Sequence, residues 1–254
     1  MVKKTRHTVV ILQARMSSSR LPGKVMMSLN GEPMISQQIK RIKSASLVDE
    51  LIVATSTDPS DNLLAEFIEQ IGVRVFRGSL DDVLSRFLRI QQEECPTAII
   101  RLTGDCPLVM PELIDEMVLK FYGSSVDYLS NTLELTYPDG LDIEVINPAA
   151  FEKLRLLELT AAEREHVTLG IYSRPSMFSL ANFRGGMDLS KNRWTVDYQE
   201  DLNFVRKIYA AFQGLESTFT LRDVLKFLSQ NPELKSAIAA DRRNEQLGGK
   251  NYEK

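Results

Sequence analysis

The stretch T-V-V-I-L-Q-A-R-M-S-S-S-R-L-P-G-K, residues 8 to 24, decides the fold class of this chain. It begins with β-branched and aliphatic residues, which are typical of a buried strand. It continues with three serines, two arginines, a lysine and a Pro-Gly pair, the composition of a polar loop. A buried strand that runs directly into a polar loop is typical of an open α/β sheet, where ligands bind beyond the strand ends.

The same alternation continues along the first half of the chain. Three more short apolar runs, 51–55, 73–76 and 98–102, predict strands, and helical-period segments separate them. This order predicts βαβ units and a mostly parallel sheet covered by helices. The apolar residues at helical spacing are Leu63, Leu64, Phe67, Ile68 and Ile71 in one segment, and Val83, Leu84, Phe87, Leu88 and Ile90 in the next.

The second half of the chain is less regular. Residues 141–146 alternate apolar and acidic side chains and predict a strand, as do 177–182 and 193–196. Helices are predicted over 161–169, 202–212 and 221–228. We expect a single domain over 1–240, with an inserted lobe at about 125–190 and a frayed tail at 241–254.

Composition excludes several classes of protein. The chain has 254 residues, 31 basic and 34 acidic, and a net charge of -3, so no global positive field favours nucleic acid. No apolar stretch is long enough to span a bilayer, and we expect no membrane partner and a cytoplasmic location. Two cysteines are too few for a disulfide framework, and two histidines exclude a histidine-rich metal centre. Any metal here would have oxygen ligands.

The polar loop has the chemistry of a phosphate site. Arg15, Arg20 and Lys24 supply positive charge, the serines supply hydroxyls, and the turn at 22–23 lets the backbone approach a ligand. This composition suits a di- or triphosphate, although a solvated basic loop without function would look the same. Neither a Walker loop nor the G-x-G-x-x-G dinucleotide fingerprint is present.

Two aspartates follow predicted strands. Asp105 stands in T-G-D-C-P-L after the strand 98–102, and Asp197 stands in W-T-V-D-Y after 193–196. Magnesium prefers one or two carboxylates together with substrate oxygens and water, so such a pair would suffice to bind it. A loop aspartate can equally cap a helix, which leaves this interpretation open for Asp105. Asp201 is expected on a helix surface.

Several motifs together resemble one family. The chain carries A-R-M-S-S-S-R-L-P-G-K, A-T-S-T-D-P-S-D-N, V-F-R-G-S-L-D-D-V-L-S-R-F, R-L-T-G-D-C-P-L, D-G-L-D-I-E-V, E-R-E-H-V-T and R-W-T-V-D-Y-Q-E-D-L, in that order. It resembles the CTP-dependent sugar cytidylyltransferases, which include the CMP-Kdo and acylneuraminate enzymes, and above all the spore-coat polysaccharide (SpsF-type) members. The resemblance implies an α/β, three-layer nucleotide-diphospho-sugar transferase-like (Rossmann-like) fold with a mostly parallel sheet and a small inserted lobe. It makes residues 1–240 a single nucleotidyltransferase domain and the insertion at about 125–190 a sugar-binding and dimerisation lobe.

The resemblance also implies an activity and its residues. A family member transfers CMP from CTP to a sugar, releases pyrophosphate and requires Mg²⁺. Catalysis would depend on Arg15, Lys24 and Asp105, and Mg²⁺ would bind Asp105 and Asp197. The nucleotide would bind Gln13, Ala14, Arg15, Ser19, Arg20, Gly23, Lys24, Arg77, Ser79, Thr103 and Asp105. The sugar would bind Asp142, Glu144, Glu165 and His166.

Several of these roles have an alternative. Gly78 and Ser79 fit a turn and a helix cap equally well, Asp142 and Glu144 fit a solvated strand face, and His166 fits a packing residue. The family also implies a homodimer, for which the sequence offers Tyr128, Tyr137 and Phe178 as interface candidates.

Two other classes of protein remain possible from the sequence. A glycosyltransferase with a similar sheet would carry a D-x-D metal motif, which the G-D-C-P loop does not match, and a non-catalytic binding module would not need the cations and Asp105. Another nucleoside triphosphate could replace CTP, since only the resemblance selects cytosine. The sugar and any general base are not assigned.

Overall fold

The protein is an α/β structure around one large sheet. A computed structural model describes residues 6–234. The strands are β1 (Thr8–Gln13), β2 (Ser28–Leu29), β3 (Glu32–Pro33), β4 (Glu50–Ser56), β5 (Arg74–Gly78), β6 (Ala98–Thr103), β7 (Tyr128–Ser130), β8 (Glu144–Ile146) and β9 (Leu180–Asn182). The α-helices are α1 (Met34–Lys43), α2 (Asn62–Gln70), α3 (Val83–Glu94), α4 (Pro111–Tyr122), α5 (Pro148–Arg155), α6 (Ala161–Glu165), α7 (Leu169–Tyr172), α8 (Gln199–Ala211) and α9 (Leu221–Gln230).

Seven strands form the central sheet in the order β5-β4-β1-β6-β8-β7-β9. β1 pairs in parallel with both β4 and β6, and β4 pairs in parallel with β5. β8 is antiparallel to β6 and to β7, while β9 is parallel to β7. The predicted mostly parallel sheet is therefore confirmed, and the segment 125–190 contributes three strands to the same sheet.

Alternating side chains of β1 explain the three layers. Val10 and Leu12 point to one face, where they join a hydrophobic cluster with α1, α2, α4, α8 and α9. Val9 and Ile11 point to the other face and pack with α3, α5 and α7. Because all four side chains are fully buried, β1 lies at the centre of the sheet with helices on both sides.

The chain changes direction beside β1. It runs from β1 to β4 and β5 on one side and then returns to β6 on the other side. The direction in which strands are added therefore reverses between β1 and β6, which makes their carboxyl ends a topological switch point, where open α/β sheets bind their ligands. The polar loop after β1 lies at this point, as the sequence predicted.

Three predictions about local structure were wrong. Residues 193–196 do not form a strand, because only Arg193 bridges to Asp139. The helix predicted over 161–169 is broken between α6 and α7, where Val167 has a φ of 51°. Leu63 of α2 is 57% exposed instead of packed against the sheet.

The described residues end before the predicted tail at 241–254, which lies outside them. Within residues 6–234, no helix combines the length and the apolar character needed to cross a membrane.

Candidate active site

A cavity of about 290 Å³ opens at the carboxyl ends of β1 and β6. Side chains from the loop after β1, from α3, from β6 and from α6 surround it. It is lined by Gln13, Ala14, Arg15, Ser17, Ser18, Ser19, Lys24, Val25, Val83, Arg86, Arg101, Thr103, Gly104, Asp105, Glu165 and His166. The structure therefore brings together residues that lie more than 150 positions apart in the sequence.

The loop after β1 is closed by its own backbone. The carbonyl oxygen of Met16 accepts hydrogen bonds from the backbone N–H groups of Ser18 and Gly23, both at 2.9 Å. Gly23 has a φ of 70°, which favours glycine at this turn. The N–H of Met16 donates to Oδ1 of the fully buried Asp61 at 2.6 Å, which anchors the loop to the segment after β4.

A close approach of two strand ends shapes the floor of the cavity. The N–H of Gly104 donates to the carbonyl oxygen of Gln13 at 2.8 Å. A Cβ at Gly104 would lie 2.9 Å from the Cβ of Ala14, so a larger residue would push the two strand ends apart. The glycine of T-G-D-C-P-L therefore allows the two strand ends to approach each other.

Lys24 lies between the two aspartates that the sequence singled out. Its Nζ donates to Oδ2 of Asp105 at 3.3 Å, to Oδ1 of Asp197 at 3.0 Å and to the carbonyl oxygen of Val196 at 2.7 Å. Asp105 follows β6 and Asp197 precedes α8, so the two carboxylates reach the same ammonium group from separate parts of the chain. The structure thus brings both predicted metal ligands to one ammonium group; Asp105 lines the cavity, whereas Asp197 is not among the lining residues.

The charges of this group stabilise one another. Burial lowers the pKa of Lys24, but the neighbouring carboxylates of Asp105 and Asp197 outweigh burial and raise it. Burial likewise raises the pKa of Asp105, yet the charge of Lys24 and a hydrogen bond from Thr103 lower it to about 2. All three side chains are therefore charged at neutral pH.

Asp197 has two further cationic partners. Nη2 of Arg20 lies 2.6 Å from its Oδ1, and Nη2 of Arg193 donates to its Oδ2 at 2.8 Å. Burial raises the pKa of Asp197, while Lys24 and Arg193 lower it and give a net decrease. Arg20, which the sequence assigned to the nucleotide, binds Asp197 here and is not among the cavity-lining residues.

Arg193 organises a buried ionic network behind Asp197. Its guanidinium also contacts Asp139 at 2.6 Å and Asp201 at 3.2 Å. The prediction that Asp201 lies on a helix surface was wrong, because Asp201 is 3% exposed and also accepts the backbone N–H groups of Asp197 and Tyr198. The network fixes the backbone that carries Asp197.

The donor set of Asp105 and Asp197 suits a hard cation. Both groups offer carboxylate oxygens, and both already converge on one positive charge, the ammonium of Lys24. Within residues 6–234, one group of three potential ligands occurs elsewhere, formed by His7, Glu50 and Glu94. It lies at the opposite end of the sheet, where Arg74 forms ion pairs with both glutamates.

Besides Arg20, three residues predicted to bind the nucleotide, Gly23, Arg77 and Ser79, are not among those that line the cavity. Nε of Arg77 donates to the carbonyl oxygen of Ser56 at 2.9 Å, and its Nη2 donates to Oδ1 of Asn62 at 2.7 Å. Oγ of Ser79 accepts the N–H of Asp82 at 3.1 Å, while Asp82 itself caps α3. Arg77 therefore ties β5 to the segment between β4 and α2, and Ser79 supports the turn before α3.

The predicted sugar-binding residues divide into two groups. Glu165 and His166 line the cavity, and Glu165 lies 3.8 Å from Arg15. Asp142 and Glu144 are not among the lining residues.

Burial lowers the pKa of His166, and the charges of Arg101 and Arg15 add to this effect, so His166 is neutral at pH 7.

Glu144 lies behind the cavity wall and does not form a solvated strand face. It is 8% exposed, and its carboxylate forms an ion pair with Arg101. It also accepts hydrogen bonds from the hydroxyls of Tyr128 and Thr168, each at 2.5 Å. Glu144 thus holds Arg101, whose Nε donates to Oε1 of Gln13 at 3.0 Å, at the edge of the site.

Sequence reasoning missed Arg86 and Arg101 as cavity residues. Arg86 is part of the quoted motif V-F-R-G-S-L-D-D-V-L-S-R-F, but only its burial in the structure distinguishes it from Arg89 on the same helix. Arg101 belongs to β6, where its side chain points to the opposite face of the sheet from that of Ile100. A charged residue within this apolar strand is the signal that could have revealed it. The remaining predicted residues, Gln13, Ala14, Arg15, Ser19, Lys24, Thr103 and Asp105, all line the cavity.

The sequence matches a known family along almost its whole length. Residues 9–233 match the family model described as cytidylyltransferase. The spore coat polysaccharide biosynthesis protein SpsF of Bacillus subtilis is 33% identical over 242 residues, which cover 91% of this chain and 98% of that protein. A 3-deoxy-manno-octulosonate cytidylyltransferase of Aeromonas salmonicida is 32% identical over 147 residues, covering 56% of this chain and 55% of that enzyme.

Solved structures agree with this match. A cytidylyltransferase from Leptospira borgpetersenii superposes with a TM-score of 0.86 at 29% identity, covering 91% of this chain and 97% of that chain. A CMP:2-keto-3-deoxy-manno-octonic acid synthetase in complex with CTP superposes with a TM-score of 0.62 at 17% identity, covering 81% and 99%, and supports the fold alone. The predicted nucleotide-diphospho-sugar transferase-like fold is confirmed, and the match decides against the glycosyltransferase alternative. The chain belongs to the cytidylyltransferase family, whose members are nucleotidyltransferases.

Proposed function

We propose that this protein transfers CMP from CTP to a sugar and releases pyrophosphate, as a step towards a surface polysaccharide. The observation that carries the proposal is the convergence of Asp105 and Asp197 on Lys24, beside a cavity whose lining includes Lys24, Asp105, Arg15 and three serines. Family membership supports CTP as the nucleotide. The printed name of the Bacillus subtilis relative supports the link to a polysaccharide.

The proposal includes Mg²⁺, for which Asp105 and Asp197 supply the protein oxygens. Bound there, Mg²⁺ would neutralise negative charge on the phosphate oxygens of the nucleotide. The buried Arg193 network holds Asp197 so that Oδ1 faces Lys24, whereas Oδ2 faces Arg193. Thr103 orients Asp105 in the same way, since its hydroxyl donates to Oδ1 at 2.6 Å.

Positive charge and hydroxyl donors of the loop after β1 would bind the triphosphate. Within residues 6–234, the one ion pair of Arg15 is a long contact with Glu165. The side chain of Arg15 is 41% exposed, so its guanidinium can turn to a ligand at little cost. Lys24 is preorganised at the other end of the loop. Fixed cations of this kind act by stabilising the charge that develops on a phosphoryl group in the transition state.

The acceptor would enter from the side of α6. Glu165 and the neutral His166 lie there and can exchange hydrogen bonds with sugar hydroxyls. A capping box between Thr160 and Glu163 starts α6 and fixes the direction of the short helix that carries them. Glu144 supports the same wall through Thr168 and Arg101.

We propose a homodimer as well, although the residues that the sequence offered for its interface cannot form one. Tyr128, Tyr137 and Phe178 are 0%, 8% and 1% exposed. Exposed apolar side chains of the same segment are Leu133, Leu135, Leu156, Met177 and Met187. Light scattering coupled to gel filtration should give twice the chain mass, and a monomer at micromolar concentration would contradict the dimer.

Product analysis tests the proposed reaction. The protein is incubated with CTP and Mg²⁺ and a panel of neutral, amino, acidic and phosphorylated sugars, and pyrophosphate release is measured. A CMP-sugar of matching mass should form with one class of sugar and should not form with Asp105→Asn. Pyrophosphate release from another triphosphate, but not from CTP, would contradict the choice of nucleotide.

A further inference from the structure

Arg86 is a buried cation in the wall of the cavity. It lies on α3, its residue exposure is 2%, and its side chain lines the same cavity as Lys24 and Arg15. The reaction outlined above gives it no role. Its surroundings differ from those of the other cations of the site.

The guanidinium of Arg86 donates only to carbonyl groups. Nε binds the carbonyl oxygen of Ser79 at 2.8 Å, Nη2 binds that of Leu80 at 3.0 Å, and Nη1 binds that of Ala54 at 3.5 Å. An arginine carries five N–H donors, so these bonds leave donors for a ligand. No carboxylate of residues 6–234 lies within 4.0 Å of its guanidinium nitrogens, and Asp61 and Asp82 act on it from farther away.

The neighbouring cations, in contrast, are paired with carboxylates. Lys24 binds Asp105 and Asp197, and Arg101 binds Glu144. A charge removed from water without a counter-ion is costly, and the cost falls when an anion binds beside it. Burial lowers the pKa of Arg86 and the charge of Arg15 lowers it further, which agrees with an excess of positive charge at this wall.

The chain around Arg86 is built to hold it. A Cβ at Gly78 would lie 2.8 Å from Cγ of Arg86, so glycine is needed for the arginine to pass. The side chain of Asp82 accepts the N–H of Ser85 at 3.1 Å and starts α3 one turn before Arg86. The residues of V-F-R-G-S-L-D-D-V-L-S-R therefore form a socket for this guanidinium.

A second buried arginine shows why the cavity matters. Arg41 is fully buried and also donates to carbonyl oxygens, those of Val109, Glu216 and Phe219. Its guanidinium stacks 3.7 Å from the ring centroid of Phe219 and is not part of the cavity lining. Arg41 joins parts of the core, whereas Arg86 faces a space that a ligand can enter.

We infer that Arg86 binds a phosphate group of a substrate and supplies the one strongly buried positive charge of the site that has no carboxylate partner among residues 6–234. The inference rests on the proposed function, because it assigns the socket to the substrates of that reaction. The phosphate belongs either to the nucleotide or to a phosphorylated acceptor, and the two sources give different results in one experiment.

The experiment compares wild type with Arg86→Met and Arg86→Lys by isothermal titration calorimetry. CTP with Mg²⁺ is titrated first, cytidine second, and inorganic phosphate onto protein saturated with CTP third. Arg89→Met is the matched control, because Arg89 lies on the same helix, is exposed and does not line the cavity. Thermal unfolding of each variant confirms that it is folded, and Arg86→Lys serves if the methionine variant is not.

A lost charge-assisted hydrogen bond corresponds to a weakening of about 10-fold to 100-fold. That loss for CTP, with unchanged cytidine binding, supports a nucleotide phosphate. That loss for inorganic phosphate alone supports the phosphate of an acceptor. The inference would be overturned if wild type and the Arg86 variants bound CTP and inorganic phosphate with equal affinities. It would also be overturned if cytidine binding weakened as much as CTP binding. The proposed function would stand in either case. If wild type does not bind CTP, the proposed function fails, and titration of inorganic phosphate into the free protein then decides for or against Arg86.

Discussion

Nζ of Lys24 lies 3.0 Å from Oδ1 of Asp197, although 173 positions separate the two residues in the chain. One belongs to the loop after the first strand, and the other precedes α8. Asp105 at the end of β6 contacts the same ammonium group, so Lys24 joins three separate parts of the chain at the site. The loop after β1 and the two candidate metal ligands therefore form a single electrostatic unit.

Replacing Lys24 by alanine should lower the rate of pyrophosphate release from CTP by about 10²-fold to 10³-fold, as the loss of one preorganised donor does in other enzymes. The physical reason is that Lys24 carries the buried ammonium group that contacts both Asp105 and Asp197 and lines the cavity. Lys40→Ala is the control, since Lys40 is exposed and pairs with Glu32 outside the cavity. A rate within twofold of wild type for Lys24→Ala would contradict this role.

Replacing Arg193 by methionine should cost about 3 to 5 kcal/mol of unfolding free energy, because it leaves buried carboxylates without their shared cation. Arg193 contacts Asp139, Asp197 and Asp201 and is 4% exposed. Urea denaturation measures the loss. Arg184→Met, which breaks an exposed pair with Glu134, should change stability by less than about 1 kcal/mol. Equal stabilities of the two variants would show that the network is not stabilising.

Replacing Gly140 by alanine should destabilise the protein by at least about 2 kcal/mol. Gly140 has a φ of 101°, and a Cβ there would lie 2.4 Å from the backbone nitrogen of Thr195. The clash would separate Asp139 from Arg193 and disturb Asp197. Gly186→Ala meets nothing within 4 Å and serves as the control in the same thermal unfolding series. A Gly140→Ala variant as stable as Gly186→Ala would refute the close approach.

The pair of Glu163 and Arg174 should make the stability of α6 depend on pH. A hydrogen bond from Arg174 lowers the pKa of Glu163 below its usual 4.5 and outweighs burial. A lowered folded-state pKa stabilises the protein above the unfolded-state pKa, and that stability disappears as pH falls through the folded-state value. Wild type should therefore exceed Glu163→Gln in urea stability at pH 7, and the difference should shrink below about pH 4. A constant difference from pH 7 to pH 3 would contradict the assignment.

Local patterns were sufficient to predict the centre of the site. The apolar run 8–12 and the polar residues that follow it specified β1 and its loop, because burial and turn chemistry act over a few residues. Asp105 was found for the same reason, as it directly follows the run that forms β6. Of the long-range relations, the pairing of Asp105 with Asp197 was suggested by resemblance to a family rather than by spacing.

The remaining features depend on tertiary contacts that no local pattern encodes. Glu144 was expected to bind the sugar or to lie on a solvated strand face. Instead, β8 packs between β6 and β7, and the carboxylate of Glu144 meets Arg101, Tyr128 and Thr168 from three elements. Residues 193–196 were predicted to form a strand. Instead, the side chain of Arg193 joins a buried ionic network, and its backbone makes only one bridge, to Asp139. The buried guanidinium of Arg86 likewise depends on hydrogen bonds to carbonyl groups of a neighbouring strand and loop.

Thermal unfolding with CTP, UTP, GTP and ATP, each with and without Mg²⁺, tests the central claim most directly because it requires no knowledge of the sugar. A ligand at 100 times its Kd adds about 2.7 kcal/mol of stability, which corresponds to roughly 5 to 10 °C for a chain of this size. We predict this shift for CTP with Mg²⁺, and its loss in Lys24→Ala and Asp105→Asn. No shift with CTP, or an equal shift in both variants, would contradict the assignment of this site to CTP.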